Sequence, residues 1–197
     1  DLQDVNARLL DRERALDHQA HHDALTGLAN RRRLAEAFLQ AAARSRRTKN
    51  AFAVLLVDLD GFRDLNDRRG HALGDRVLVA VADRLRACVR EADHAARLDG
   101  DDFVVLVENL ASSSDAELVA QKIVRAIEPP IAGDAAILRV SASIGIACYP
   151  EHGEDAETLL RLAEAAMVRA RQRGPGRWNL ADPRKPADRA RGRGQQP

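Results

Sequence analysis

Aromatic residues make up only 3% of this 197-residue chain. So few rings argue against a base-stacking platform for single-stranded nucleic acid. Net charge is nearly absent as well: 31 Lys and Arg face 30 Asp and Glu, so neither nucleic acid nor an acidic membrane surface is an expected partner. Cysteine is scarce. Cys88 and Cys148 lie far apart, form neither a CxxC nor a disulfide framework, and sit in apolar runs; they read as small buried hydrophobes of a reducing cytosol. No apolar run is long enough to span a bilayer, and no signal peptide is evident. The chain opens at Asp1 without Met. It therefore reads as a cytoplasmic piece of a longer protein, compatible with a membrane or sensor segment upstream. At 45% hydrophobic residues, it can bury the core of one domain with extensions.

Periodicity divides the chain into three parts. Residues 1–22 are polar and helix-favouring, with Leu2, Val5, Leu9 and Leu16 as a thin heptad seam interrupted by Arg12. They form either a parallel coiled-coil linker or one amphipathic helix resting on its own domain. Residues 23–180 carry the domain. Asn30 caps a helix from Arg31 to about Arg47, and residues 51–60 (AFAVLLVDLD) form a nearly continuous apolar strand. Residues 61–71 start as a short helix and end in a Gly-led loop. An amphipathic helix runs from Asp75 to about Val89, and segments 94–98 and 103–107 form a hairpin turning at Asp99-Gly100. Ser112 to Asp115 opens a helix through Ile127. Ile137 to Tyr149 reads as a strand, Glu157 to about Arg173 as a helix, and Arg177 to Leu180 as a short edge strand. Residues 181–197 have almost no apolar content and read as a disordered, solubilising Arg/Pro-rich tail. The order is that of an α+β fold, one mixed sheet with helices packed on it.

The chemistry gathers in two acidic clusters. Asp58 and Asp60 end a buried strand; Asp99, Asp101 and Asp102 crowd a hairpin turn. Strand-end carboxylates brought together from distant sequence suit Mg²⁺ for phosphate chemistry. Equally, strand ends are polar in any case. Alternation lets only one of Asp101 and Asp102 face the metal side, leaving the other to act on a proton. His18, His21 and His22 have no further ligand cluster near them in sequence and read as solvated helix-end residues. His71 reads as support for its loop, and Trp178 as a packing residue.

Four motifs in register resemble the GGDEF family, the diguanylate cyclases. DALTGLANRR (23–32) resembles the family's opening DxLTGLxNRR, and DLDGFRDLNDRRGHALGD (58–75) resembles DxDxFKxxNDxxGHxxGD. RLDGDDFVVL (97–106) stands at the RxGGDEF signature, and SASIGIACYPEHG (141–153) resembles the C-terminal strand. The resemblance implies a nucleotide-cyclase or polymerase-palm fold. It also implies condensation of two GTP into cyclic di-GMP between two facing domains, each with Mg²⁺ (or Mn²⁺), so that a homodimer is the active form. Asp58, the Leu59 carbonyl and Asp101 would hold metal, and Asp102 would handle the proton. Asn66 and Asp75 would read the guanine edge, while Arg63, Arg171 and Arg177 would meet phosphates. Arg90 and Asp93 match the family's RxxD product-inhibitory site; alternatively they are an i,i+3 ion pair. An upstream sensor or a phosphodiesterase is the implied partner.

The signature reads DGDDF where the family has GGDEF or GGEEF. Asp-Gly suits a type I′ turn, with Asp99 at positive φ. A carboxylate ~5 Å from a phosphate oxygen, however, costs roughly 3 kcal/mol at an effective dielectric near 20. Asp102 is one methylene shorter than the family's Glu, and about 1 Å of misplacement can cost on the order of a hundredfold in rate. GPGRWN (174–179) carries extra residues where the family has GRN. The expectation is a degenerate site with weak or lost cyclase activity. The alternatives are a catalytically silent module that binds GTP or cyclic di-GMP and acts on a neighbouring domain or partner, or a scaffold that only dimerises.

Overall fold

The computed structural model describes residues 6, 8, 12, 18–132 and 137–182. The expected N-terminal helix falls largely outside these residues, although His18 to His21 are helical, and the expected tail lies outside them from residue 183. The elements are α1 (Arg31–Thr48), β1 (Ala51–Asp60), α2 (Phe62–Arg69), α3 (His71–Cys88), β2 (His94–Asp99), β3 (Asp102–Leu110), α4 (Ser113–Ile127), β4 (Ile131–Ala132), β5 (Ile137–Leu138), β6 (Ser141–Tyr149), α5 (Ala156–Gln172) and β7 (Trp178–Leu180).

Five strands form one sheet in the order β2-β3-β1-β6-β7. Neighbours are antiparallel except β6 and β7, which are parallel. The central strand β1 is apolar on both faces because helices cover both. Its odd positions Ala53, Leu55, Val57 and Leu59 pack under α3 and α4 with Val81, Leu85 and Ile123. Its even positions Phe52, Val54 and Leu56 pack under α1 and α5 with Phe38, Leu159 and Ala163. Alternation along a strand produces this division, and it puts Asp58 and Asp60 on the α1/α5 face.

Caps hold the helix starts. Asn30 accepts from the Arg33 N–H at 3.0 Å, Asp155 accepts from the Thr158 N–H at 2.8 Å, and Ser112 with Asp115 forms a capping box. Gly145 sets how deeply α5 sits: a Cβ there would lie 1.8 Å from the Ala163 carbonyl oxygen and 2.5 Å from the Met167 N. Only glycine allows this approach of helix to sheet, and it fixes the height of α5 over β6 and so of Arg171 two turns further on.

Three expectations are corrected. The Gly-led loop before residue 75 is helical from His71. Gly70 alone, at φ 86 and ψ 156, separates α2 from α3, and His71 is the exposed first residue of α3. The strand expected from Ile137 is interrupted at Arg139 and Val140. Its first residues pair with β4 in a separate two-stranded sheet. The hairpin turns at Gly100 and Asp101, one residue later than the Asp-Gly dipeptide suggests: Asp99 pairs with Asp102 in the ladder, after an irregularity between Arg97 and Asp99. Gly100 takes φ 49 while neither Asp99 nor Asp101 is left-handed, so Asp99 bears no turn strain. The type I′ reading is replaced by a turn with glycine at its first central position.

The outer edge of β2 is closed by the segment before α1. Ala29 donates to the Ala95 carbonyl at 3.2 Å and accepts from the Arg97 N–H at 2.9 Å. Beside it the Arg97 guanidinium pairs with Asp23 at 3.1 Å and donates to the Gly100 carbonyl at 2.9 Å. Burial opposes ionisation of Asp23, but hydrogen bonds from Thr26 and Arg97 outweigh it and hold its carboxyl below the ordinary value. One guanidinium thus ties the start of the domain to the signature turn. His21 and His22 are half-buried, not simply solvated: His21 lies 3.5 Å from Glu36, and His22 contacts the Gly27 carbonyl at 3.2 Å.

Candidate nucleotide and metal site

Asp58 and Asp102 are direct cross-strand partners in the β1–β3 ladder and therefore share a face. Asp101 lies in the turn, where strand alternation does not apply. The alternation argument for separating Asp101 from Asp102 therefore does not hold for Asp101, and the charges of both act on Asp58. The Asp58 side chain is 17% exposed and pairs with Arg171 of α5. Burial pushes its pKa from 3.8 up to about 6. The Arg171 guanidinium opposes this, and the carboxylates of Asp101 and Asp102 add to it. Burial also raises Asp102, with Asp101, Glu164 and Asp99 adding to the effect and Arg171 opposing it. The corner is rich in negative charge and has one internal cation against it.

Asp60 has a different task. It accepts from the Ser141 hydroxyl at 2.7 Å, the Ser143 hydroxyl at 2.6 Å and the Gly176 N–H at 3.0 Å, with the Arg171 Nε at 3.7 Å. It braces β1, β6, α5 and the approach to β7 together. Sequence reasoning missed this brace; the Ser-x-Ser of β6 was its only trace.

Asn66 and Asp75 come from consecutive helices joined at Gly70. Asn66 Oδ1 is buried and has no hydrogen-bond partner. It packs on Gly74, where a Cβ would lie 1.8 Å away. A buried amide oxygen left unpaired costs about 1–3 kcal/mol, so this atom is open to an external donor. Asp75 follows Gly74 directly, is exposed, and lines a hollow of about 390 Å³ with Leu25 and Val79. Arg63 is exposed on α2. Arg177 lines an open hollow with Arg173 and Trp178; it is Arg171 that engages Asp58. Trp178 packs against the α3/α4 core, as expected.

Arg90 and Asp93 line a hollow of about 370 Å³ with Cys88, Asn109, Asp115 and Lys122. Asp93 accepts from the Arg90 N–H at 2.9 Å and from the Glu108 N–H at 3.1 Å, so it ties the α3–β2 turn to β3. Lys122 donates to the Cys88 carbonyl at 2.9 Å. Both cysteines are free and buried, and burial pushes the Cys148 thiol up to about 12.

A divalent cation fits the donor chemistry of the Asp58 corner. Asp58 and Asp101 offer carboxylates and Leu59 a carbonyl, all hard oxygen donors suited to Mg²⁺ or Mn²⁺. The Arg171 guanidinium already stands there as a cation. Among the described residues no three His, Cys, Asp or Glu side chains gather as a metal-holding group. A cation here would rest on few protein ligands, with phosphate and water supplying the rest, as is usual for Mg²⁺.

The sequence matches the family described as diguanylate cyclase, GGDEF domain, over residues 20–177, and the chain belongs to that family. It is 42% identical over 183 residues to diguanylate cyclase TpbB of Pseudomonas aeruginosa, covering 92% of this chain and 42% of that protein. The chain thus spans about two-fifths of that relative. The solved structure of an N-terminally shortened mutant of the same Pseudomonas protein, comprising only its GGDEF domain, superposes with a TM-score of 0.79 at 42% identity, covering 82% of this chain and 95% of that one. A microbial GGDEF domain, in a structure describing a novel interaction mode with cyclic di-GMP, is 32% identical with a TM-score of 0.70, covering 84% and 99%. The α+β, palm-like fold expected from the sequence is the fold of this family. No helix among the described residues is long and apolar enough to cross a membrane.

Proposed function

We propose that this domain binds GTP with Mg²⁺ (or Mn²⁺) at the Asp58 corner and that its diguanylate cyclase step, 2 GTP to cyclic di-GMP, is weakened or lost. The observation that carries the reading is the cross-strand pairing of Asp58 with Asp102 beside Asp101. It supports one carboxylate corner built from two distant motifs. Asp58, the Leu59 carbonyl and Asp101 hold the cation, which when bound offsets triphosphate charge. Asn66 and Asp75 pair with the guanine edge, the amide and carboxylate matching its O6 acceptor and N1/N2 donors. Arg63 and Arg171 meet the phosphates, with Arg177 nearby. Asp102 takes the 3′-hydroxyl proton of a second GTP held by a facing copy as that oxygen bonds to the α-phosphorus and pyrophosphate leaves, so turnover requires a homodimer. Positioning supplies most of the catalysis.

Two features support the weakness. Asp102 is one methylene short of the family's Glu. Asp99, last in the β2 ladder, adds a negative charge that acts on Asp102. The test is incubation of the purified chain with GTP and Mg²⁺ or Mn²⁺, with product followed by chromatography. Turnover is expected to be slow or absent, and any turnover is expected to vanish in Asp58→Ala. Rapid turnover would overturn the degenerate reading.

A second reading has its own observation. The hollow at Arg90, Asp93 and Lys122 combines a guanidinium and an ammonium for phosphate with a carboxylate for guanine N1/N2. It supports cyclic di-GMP binding by a regulatory module that acts on an upstream sensor, a phosphodiesterase or another partner. Calorimetry with cyclic di-GMP on wild type and Arg90→Ala tests it, with loss of binding in the variant expected.

A further inference from the structure

We propose that Arg171 is an internal counter-cation that gates this site: without nucleotide its guanidinium occupies Asp58, and a metal-bearing triphosphate binds by drawing it off Asp58 onto phosphate. The inference rests on the nucleotide reading given above and adds a regulation to it.

Arg171 stands in the last turns of α5. Its side chain is 46% exposed, whereas Asp58 is 17% exposed. The base of the side chain is fixed, because Gly145 seats α5 against the sheet. The head is free to move through solvent. In the structure it spans two carboxylates, with Nη2 on Asp58 Oδ1 and Nε 3.7 Å from Asp60 Oδ1. The two contacts are unequal. Asp60 is already satisfied by Ser141, Ser143 and Gly176 and cannot leave its brace. It gives Arg171 a weak, fixed anchor. Asp58 has no such set of partners; its one ion-pair partner among the described residues is Arg171.

A planar fork can touch both carboxylates at once, which the point charge of a lysine does less well. The double contact therefore depends on an arginine at this position. A free divalent cation must compete with a charge-assisted hydrogen bond. A triphosphate changes the balance by giving the displaced guanidinium a new bidentate partner. Metal and nucleotide therefore help each other to bind, and by linkage the help is mutual.

Mn²⁺ binding without nucleotide, read from the electron paramagnetic resonance of free Mn²⁺, tests this with no reference to turnover. Arg171→Gln should bind Mn²⁺ about tenfold more tightly than wild type, and Arg171→Lys should fall between the two. The affinity of Arg171→Gln for GTP in saturating Mn²⁺ should change in the opposite direction, falling because the phosphate contact is gone. Arg173→Gln removes an equal charge from the C-cap of α5, two residues on, where the partner is Asn179, and should change Mn²⁺ affinity less than twofold. Asp58→Asn should abolish the binding in every background. Asp58-dependent binding that is the same in wild type and Arg171→Gln overturns the gate and leaves the metal site standing. An equal gain in Arg173→Gln also overturns it, because bulk charge would then be the cause. If no variant shows Asp58-dependent Mn²⁺ binding, with or without GTP, the gate and the nucleotide reading fall together.

Discussion

Replacing Asp58 by Asn should stabilise the metal-free domain at pH 8. A buried carboxylate that faces Asp101 and Asp102 is held in place by the fold at a cost. Its pKa of about 6, against 3.8 for an ordinary aspartate, is equivalent to about 3 kcal/mol at about 1.4 kcal/mol per pH unit. The sign follows from proton counting. Between 3.8 and about 6 the folded state binds more protons at this position than the unfolded state. Stability from Asp58 is therefore full below 3.8 and lost as pH rises through about 6. Asn carries no such charge. Urea unfolding in EDTA should find Asp58→Asn more stable than wild type by up to about 3 kcal/mol at pH 8, with the two curves converging near pH 4. Saturating Mn²⁺ with GTP should reverse the order: a ligand at a thousand times its Kd stabilises wild type by about 4.1 kcal/mol, and the variant gains nothing. A variant no more stable than wild type at pH 8 would refute the argument that burial and neighbouring carboxylates burden Asp58.

Other substitutions separate the scaffold from the site. Gly145→Ala brings a Cβ against backbone atoms of α5, so it should cost about 3 kcal/mol or more in denaturant unfolding. Gly74→Ala should leave stability within about 1 kcal/mol, because Ala favours the helix and the obstructed atom is the end of the Asn66 side chain. Displacing that amide should still weaken GTP binding by about tenfold in calorimetry. Asp99→Gly combined with Asp102→Glu should raise cyclic di-GMP formation by about a hundredfold over wild type in a chromatographic assay. No gain in a folded, GTP-binding double variant would show that the lesion lies elsewhere.

Much of this organisation is legible in the sequence because it is local. The apolar run of residues 51–60 yields β1 with both its ends, and Asn30, Ser112 and Gly-Pro-Gly mark helix boundaries at which a cap or breaker acts on its own neighbours. Spatial convergence is legible only through the four family motifs in register, since nothing in the chain states that Asp58 lies opposite Asp102. Three features escaped for nameable reasons. The Asp99-Gly100 dipeptide pointed to a turn, but the irregularity at Leu98 moved the reversal to Gly100 and Asp101. The break at Arg139 and Val140 depends on pairing with β4, a two-residue strand too short to show periodicity. The pairings of Arg171 with Asp58 and of Arg44 with Glu108, the latter at 2.8 Å, join residues distant in sequence. In the sequence Asp58 reads as a metal ligand and Arg171 as a phosphate contact, and nothing local pairs them with each other.

Calorimetric titration of GTP in the presence of Mg²⁺ into wild type, Asp58→Ala and Asn66→Ala addresses the account most directly. Saturable binding to wild type is predicted, lost in Asp58→Ala and weakened about tenfold or more in Asn66→Ala. Binding that survives in Asp58→Ala, or no binding to the folded wild-type chain, would contradict the claim that this carboxylate corner and the amide at the α2–α3 junction together hold a metal-bearing guanosine triphosphate.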